Sequence, residues 1–166
     1  MYKKIFNILN QSLLKIGKLA SYLSIFLIFL VFFSVILRYL FSIGFTWLQD
    51  LYIWVHAAVI LLGITFTLKE EGHVRIDLLY KKFSLKTKKL INFCGNIFFT
   101  LPIAYFITTK SYDYFIRSYL QNESSRESGG LPAIYILKFL IFVLGLNLLI
   151  HVMIEFLNFF KIKKRK

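Results

Sequence analysis

Four long apolar runs cross this chain, roughly Leu19–Tyr39, Leu48–Leu68, Leu90–Tyr112 and Ile134–Leu157, and almost nothing ionisable lies in their middles. A helix needs about 20 apolar residues to span the hydrocarbon core of a bilayer. Only helices and closed barrels satisfy their backbone groups in lipid, and runs that are continuously apolar rather than alternating specify helices. The expected fold is therefore an all-α integral membrane protein with four transmembrane helices. Its 166 residues are 58% hydrophobic, which leaves room for a single membrane domain, 1–166, and no separate soluble one.

The first run is expected to stay in the mature protein. It exceeds the apolar core of a signal peptide, and Arg38-Tyr39-Leu40-Phe41 follows where small cleavage-site residues would stand. Cys94, the lone cysteine, lies inside the third span and cannot form an internal disulfide.

A net charge of +13 invites a nucleic-acid reading, but the distribution of the basic residues fits membrane orientation better. Lys3, Lys4, Lys15 and Lys18 precede the first span, seven Lys and Arg residues fill the connection between the second and third, and five more follow the fourth. The other two connections are poor in basic residues. By the positive-inside rule both termini and the central connection are cytoplasmic.

Two polar stretches carry helical periodicity. Ile5, Ile8, Leu9, Leu13 and Ile16 recur opposite Lys4, Gln11, Lys15 and Lys18, which suits an amphipathic helix over about residues 3–17 lying at the interface with its lysines against anionic membrane lipids. In the central connection Ile76, Leu79, Tyr80 and Phe83 form a shorter stripe, after which Ser84 is placed to cap the third span. Pro102 removes a backbone donor near the middle of that span and is expected to kink it. The segment 121–132 is a polar, turn-rich external loop ending in Gly130-Leu131-Pro132.

The acids sit at the margins of the spans. Asp50 opens the second, Asp113 lies toward the external end of the third, and Glu155 is near the cytoplasmic end of the fourth. A cation-coupled carrier needs buried negative charge near the midplane, so small exporters that use an embedded acid are a poor match. His56 and His151 raise a different possibility, a haem clamped by two helices in the anchor of a redox complex. Their depths differ by roughly 13 Å at 1.5 Å per residue, and two axial ligands must reach one iron from similar depth. A satisfied polar side chain between helices is the expected role of each. No cofactor, metal or catalytic residue is expected.

The second span carries a stripe at three- and four-residue steps, Trp47, Asp50, Trp54, Ala57/Ala58, Leu61 and Thr65. Ala57, Ala58 and Gly63 are small enough for close helix approach, the source of packing energy between helices in lipid. Trp47 and Trp54 also suit an interfacial aromatic belt. Arg38 and Asp50 end and begin consecutive spans on one side of the membrane, so a short connection pairs them or each reaches a different partner.

The order Arg38-Tyr39, Trp47-Leu48-Gln49-Asp50, Gly63, then Gly72-His73-Val74-Arg75-Ile76-Asp77, with Gly130-Leu131-Pro132 later, resembles the small membrane subunit of tripartite ATP-independent periplasmic (TRAP) transporters. The resemblance extends over essentially the whole chain in span number, orientation and motif order. Gln49 stands where the family often has a carboxylate, and Lys138 where it often has proline.

The resemblance implies a non-catalytic scaffold in a bacterial inner membrane. A periplasmic substrate-binding protein delivers an organic anion, such as a sialic acid or a dicarboxylate, to a large multi-span subunit that moves it inward on a sodium gradient. On this reading Arg38, Trp47, Asp50, Trp54, Ala58 and Gly63 face the large subunit, the charged external ends help dock the binding protein, and His73 with Asp77 fixes the central connection. A haem-bearing anchor and a self-sufficient small carrier are the readings it competes with.

Overall fold

The computed structural model describes residues 2–70, 72, 80 and 82–163, and among these every regular element is a helix. Helix α1 spans Tyr2–Leu40 and α2 Thr46–Lys69. Then come α3, Leu85–Gly95, a π turn over Asn96–Thr100, and α4, Leu101–Leu120, which together run as one rod. Helix α5, Tyr135–Lys163, closes the chain. Four of these rods are long and apolar enough to cross a membrane.

The ends of the rods follow from local chemistry. Asn122 adopts φ 48°, the left-handed cap conformation, and Glu123 N–H then reaches Ser118 C=O at 3.1 Å, closing the last turn of α4. Ser42, at φ 55°, does the same work after α1, where Ile43 N–H donates to Leu37 C=O at 3.0 Å. Ser84 caps α3 as its position suggested, its hydroxyl accepting from Thr87 N–H at 3.2 Å.

Pro102 leaves the third rod continuous. Its ring would crowd the carbonyl one turn earlier, and the π turn in front of it widens the backbone, with Leu101 N–H passing to Asn96 C=O. The amphipathic stretch at residues 3–17 is helical and continues unbroken into the first span. Leu13 is 1% exposed and a Cβ at Gly17 would overlap the Phe66 ring, so this stretch lies along α2.

The rods stand side by side, with α2 and α5 in the centre, α1 flanking α2 and α4 flanking α5. Lipid supplies no hydrophobic drive between helices, so close approach of small residues must supply the contact energy. On α4 a stripe of Ala104, Thr108, Ser111 and Ser118 faces α5, whose Gly145 meets the Thr108 backbone directly. Ala104, Leu144 and Leu148 form the buried core there, with Leu61, Ile64 and Leu68 of α2 packed against it.

Candidate functional site

One end of the bundle holds the start of α1, the end of α2, the start of α3 and the end of α5; the other, here the distal end, holds the connections 41–45 and 121–134. The longer distal connection is folded into a clamp. Ile134 N–H donates to Glu123 C=O at 2.9 Å and Ser125 N–H to Leu131 C=O at 3.0 Å, which draws the two strands of the loop together. Two side-chain anchors then fix it to the rods.

The first anchor is Asp50, whose Oδ2 accepts from Leu131 N–H at 2.8 Å. Asp50 is thus turned to the loop, while Arg38 stands exposed at the end of α1. Gly130 explains why the loop comes so near, since a Cβ there would lie 2.5 Å from that same carboxylate oxygen and from Ser125. Two residues singled out in sequence on separate grounds, Asp50 and Gly130, meet at one point. Pro132 follows, exposed.

The second anchor is an ion pair between Lys138 and Glu123. Lys138 is 8% exposed, its ammonium 3.9 Å from the centre of the Tyr114 ring, and Ser118 donates its hydroxyl to the same carboxylate at 2.6 Å. The hydrogen bond from Lys138, followed by that from Ser118, holds the Glu123 carboxyl below the ordinary carboxylate range. Sequence reasoning missed this anchor. Its signal was a lysine placed within an apolar run and a polar loop close enough to answer it.

The stripe expected on α2 is divided between two sides. Ala58 is 8% and Thr65 0% exposed, both turned into the bundle with Leu48, Val55 and Leu62, and Trp54 is half-buried. Gly63 lies on the opposite side, where an added Cβ meets nothing within 4 Å. Trp47, 43% exposed, packs at a tilt against Phe45, ring centres 5.8 Å apart, near the distal end. The physical reason is the 100° step of the helix, since five residues from Ala58 to Gly63 turn the side chain about 140° away.

The outward side of α2 carries Gln49, Ile53, His56, Ile60, Gly63 and Thr67, at steps of four and three residues. His56 is exposed there, about 15 Å below Thr46 at 1.5 Å per residue. It does not sit between helices as expected. His151 does, at 7% exposure on α5. With one imidazole outward on α2 and the other inward on α5, the pair does not converge on a shared iron. His73 and Asp77 lie outside the described residues. Among the described residues no cluster of metal-ligating side chains occurs.

A protein-family model, that of the DctQ component of tripartite ATP-independent periplasmic transporters, matches residues 27–161. The chain belongs to the DctQ family. No curated protein and no solved structure matched it. The DctQ match begins inside α1 and runs to the end of α5, so it includes the clamp, both sides of α2 and the α4–α5 core. Together with four apolar rods, membership makes this chain a multi-pass membrane protein and the small membrane component of a TRAP transporter. Members of such systems work with a large membrane subunit and a periplasmic binding protein.

Proposed function

We propose that the chain is a non-catalytic scaffold that packs on the large subunit of its transporter through the outward side of α2. The observation that carries this reading is His56, an imidazole exposed in the middle of a membrane rod. Ionisable groups at that depth face a protein interior or a polar partner, because hydrocarbon offers them nothing. Gln49 extends the same side with a further hydrogen-bonding group, and Gly63 supplies the close approach that membrane interfaces need.

The distribution of basic residues supports cytoplasmic termini with the clamp outside, and the DctQ membership supports a bacterial inner membrane. There the clamped loop, with exposed Arg126, Glu127 and Arg38, offers a fixed charged surface for the periplasmic binding protein. The large subunit then carries the organic anion inward on the sodium gradient. Every acid of this chain sits toward a rod end or in a connection, which suits a subunit without a transport site.

The test is Gly63→Phe in the tagged chain co-expressed with the large membrane subunit of its transporter. The new ring meets none of the chain's own atoms at the Cβ, so the helicity and melting of the chain stay unchanged while co-purification is lost. Co-purification at the unsubstituted level overturns this assignment of the interface.

A further inference from the structure

Hydroxyls on these rods satisfy themselves through their own helix: Thr67 Oγ1 donates to Gly63 C=O at 3.0 Å, and Thr108 Oγ1 to Ala104 C=O at 2.7 Å. Thr65 departs from this. It is 0% exposed, and its Oγ1 has no hydrogen-bond partner among the described residues. Two buried side chains of α5 share that condition, Asn147 through Nδ2 and His151 through Nδ1, at 3% and 7% exposure. We propose that the three form one buried water site, in which ordered water bridges α2 and α5.

Helix geometry brings them together. Both α2 and α5 start at the distal end, so they run parallel. Leu61 packs against the core of Leu144 and Leu148, and Leu68 shares the wall of one cavity with His151. Thr65, between Leu61 and Leu68, is therefore level with the turn that runs from Leu148 to His151. Around the axis it stands about 40° from Leu61 and about 60° from Leu68, both of which are turned to α5. Gly145 faces α4, and Asn147 lies about 160° from it, which turns Asn147 toward α2. His151 follows one turn later, and side chains four residues apart are neighbours with Cβ atoms about 5–6 Å apart.

The chemistry of the three groups selects what they hold. Asn147 Nδ2 donates, the Thr65 hydroxyl donates or accepts, and an imidazole nitrogen does one or the other. None of them is a carboxylate, and a bound cation needs negative charge or converging carbonyls. An apolar occupant leaves every one of them unmet. A water oxygen accepts and donates at once, and buried waters make about three hydrogen bonds each to groups of this kind. His151 also lines a cavity of about 370 Å³ between α2, α3, the π turn and α5, whose wall includes Lys69, Asn92, Asn96 and Thr100. That space holds several waters, and Lys69, the last residue of α2, places it at the end of the bundle opposite the clamp. Water thus reaches the site from that end.

The sign of one near-isosteric substitution tests the site. With water present, Thr65→Val in the full chain lowers the folding equilibrium constant about fivefold, the worth of one net hydrogen bond, and moves the midpoint of sodium dodecyl sulfate unfolding down. In a dry seam the same change deletes an unmet hydroxyl, and a midpoint that rises or stays unchanged overturns the proposal. The bridge makes Thr65→Val and His151→Leu non-additive, the double variant losing less than the sum of the two. Additive losses overturn it. In nanodiscs, hydroxyl radicals from a brief X-ray pulse label His151 faster, relative to intrinsic reactivity, than Val55, which is 9% exposed on α2. Equal protection of the two residues overturns it as well. A midpoint raised by sodium chloride and not by choline chloride overturns it in favour of a cation. Thr65, Asn147 and His151 are internal to the bundle, so these readouts are independent of the outward side of α2, which Gly63→Phe tests.

Discussion

Gly145→Ala is the sharpest probe of what holds the bundle together. The added Cβ would lie 2.5 Å from Thr108 Oγ1, 2.8 Å from Thr108 N and 2.9 Å from Thr108 Cα. Two of these are backbone atoms of α4, so no rotamer change relieves the overlap. Carbon atoms pack at about 3.5–4.0 Å, so α4 and α5 must part by roughly 0.7 Å, a gap that forfeits a quarter to a half of each contact along the seam. Overpacking of this kind costs about 1–3 kcal/mol. Alanine also propagates a helix better than glycine by about 1 kcal/mol, which works in the opposite direction. Gly95→Ala is the matching control, because its Cβ meets nothing within 4 Å and it carries the same propensity gain. The propensity term cancels between the two variants, leaving Gly145→Ala less stable than Gly95→Ala by about 1–3 kcal/mol. Titration with sodium dodecyl sulfate in mixed micelles, followed by circular dichroism, measures the difference. If Gly145→Ala matches or exceeds Gly95→Ala, close approach of α4 and α5 is not what stabilises the core.

The clamp yields three further predictions, the first two read by trypsin cleavage after exposed Arg126. Asp50→Ala strands the Leu131 N–H, weakens the loop by about 1–2 kcal/mol and speeds cleavage; Gly130→Ala does the same by forcing its Cβ onto the carboxylate. Glu123→Ala speeds cleavage more than Lys138→Met, because the first leaves an ammonium 9% exposed without its partner and the second leaves a carboxylate 30% exposed to water. As for pH, the Glu123 carboxyl is held below its ordinary value of 4.5, so its contribution is fully present above that value and is lost as pH falls through the lower, folded value. Hydrogen-exchange protection of the Ile134 amide is therefore flat from neutral pH down to the ordinary value of 4.5 and falls below it in the unsubstituted chain, with no such fall in Glu123→Gln.

The rods were legible because apolar length is a statement about lipid, and it does not depend on which helix touches which. The Ser84 cap was legible for the same kind of reason, being settled within one turn. The stripe on α2 was not, because Trp47, Asp50, Trp54 and Ala58 have the right spacing for a face while nothing in the spacing says what that face meets. It meets this chain's own core and loop: Ala58 and Thr65 point into the bundle, and Asp50 bonds Leu131, 81 residues further on. The α4 stripe of Ala104, Thr108, Ser111 and Ser118 carried a readable signal, small residues at steps of four, three and seven, but the polar ones masked it as ordinary interruptions of an apolar run. Pro102 signals irregular backbone, and the irregularity that the third rod takes is a π turn over Asn96–Thr100.

Exposure in this chain has to be weighed differently from exposure in a water-soluble one. Phe29, Phe32, Phe98 and Phe106 are each more than 60% exposed, and in lipid that costs nothing and identifies no partner. Exposed and half-buried hydroxyls are almost as uninformative, because they satisfy themselves. Ser21, Ser24 and Thr109 each donate to a carbonyl four residues back on their own helix, at 3.1, 2.9 and 3.0 Å. An imidazole is a flat ring held one carbon off the backbone, and it has no such return bond to make. On α2, His56 is therefore an exposed group whose presence in hydrocarbon calls for a second protein. If the partner covers α2 there, His56→Leu weakens co-purification while leaving the isolated chain as stable or more so, since it removes a polar group from lipid. Should the isolated chain lose stability instead, His56 serves its own bundle and the docking face lies elsewhere.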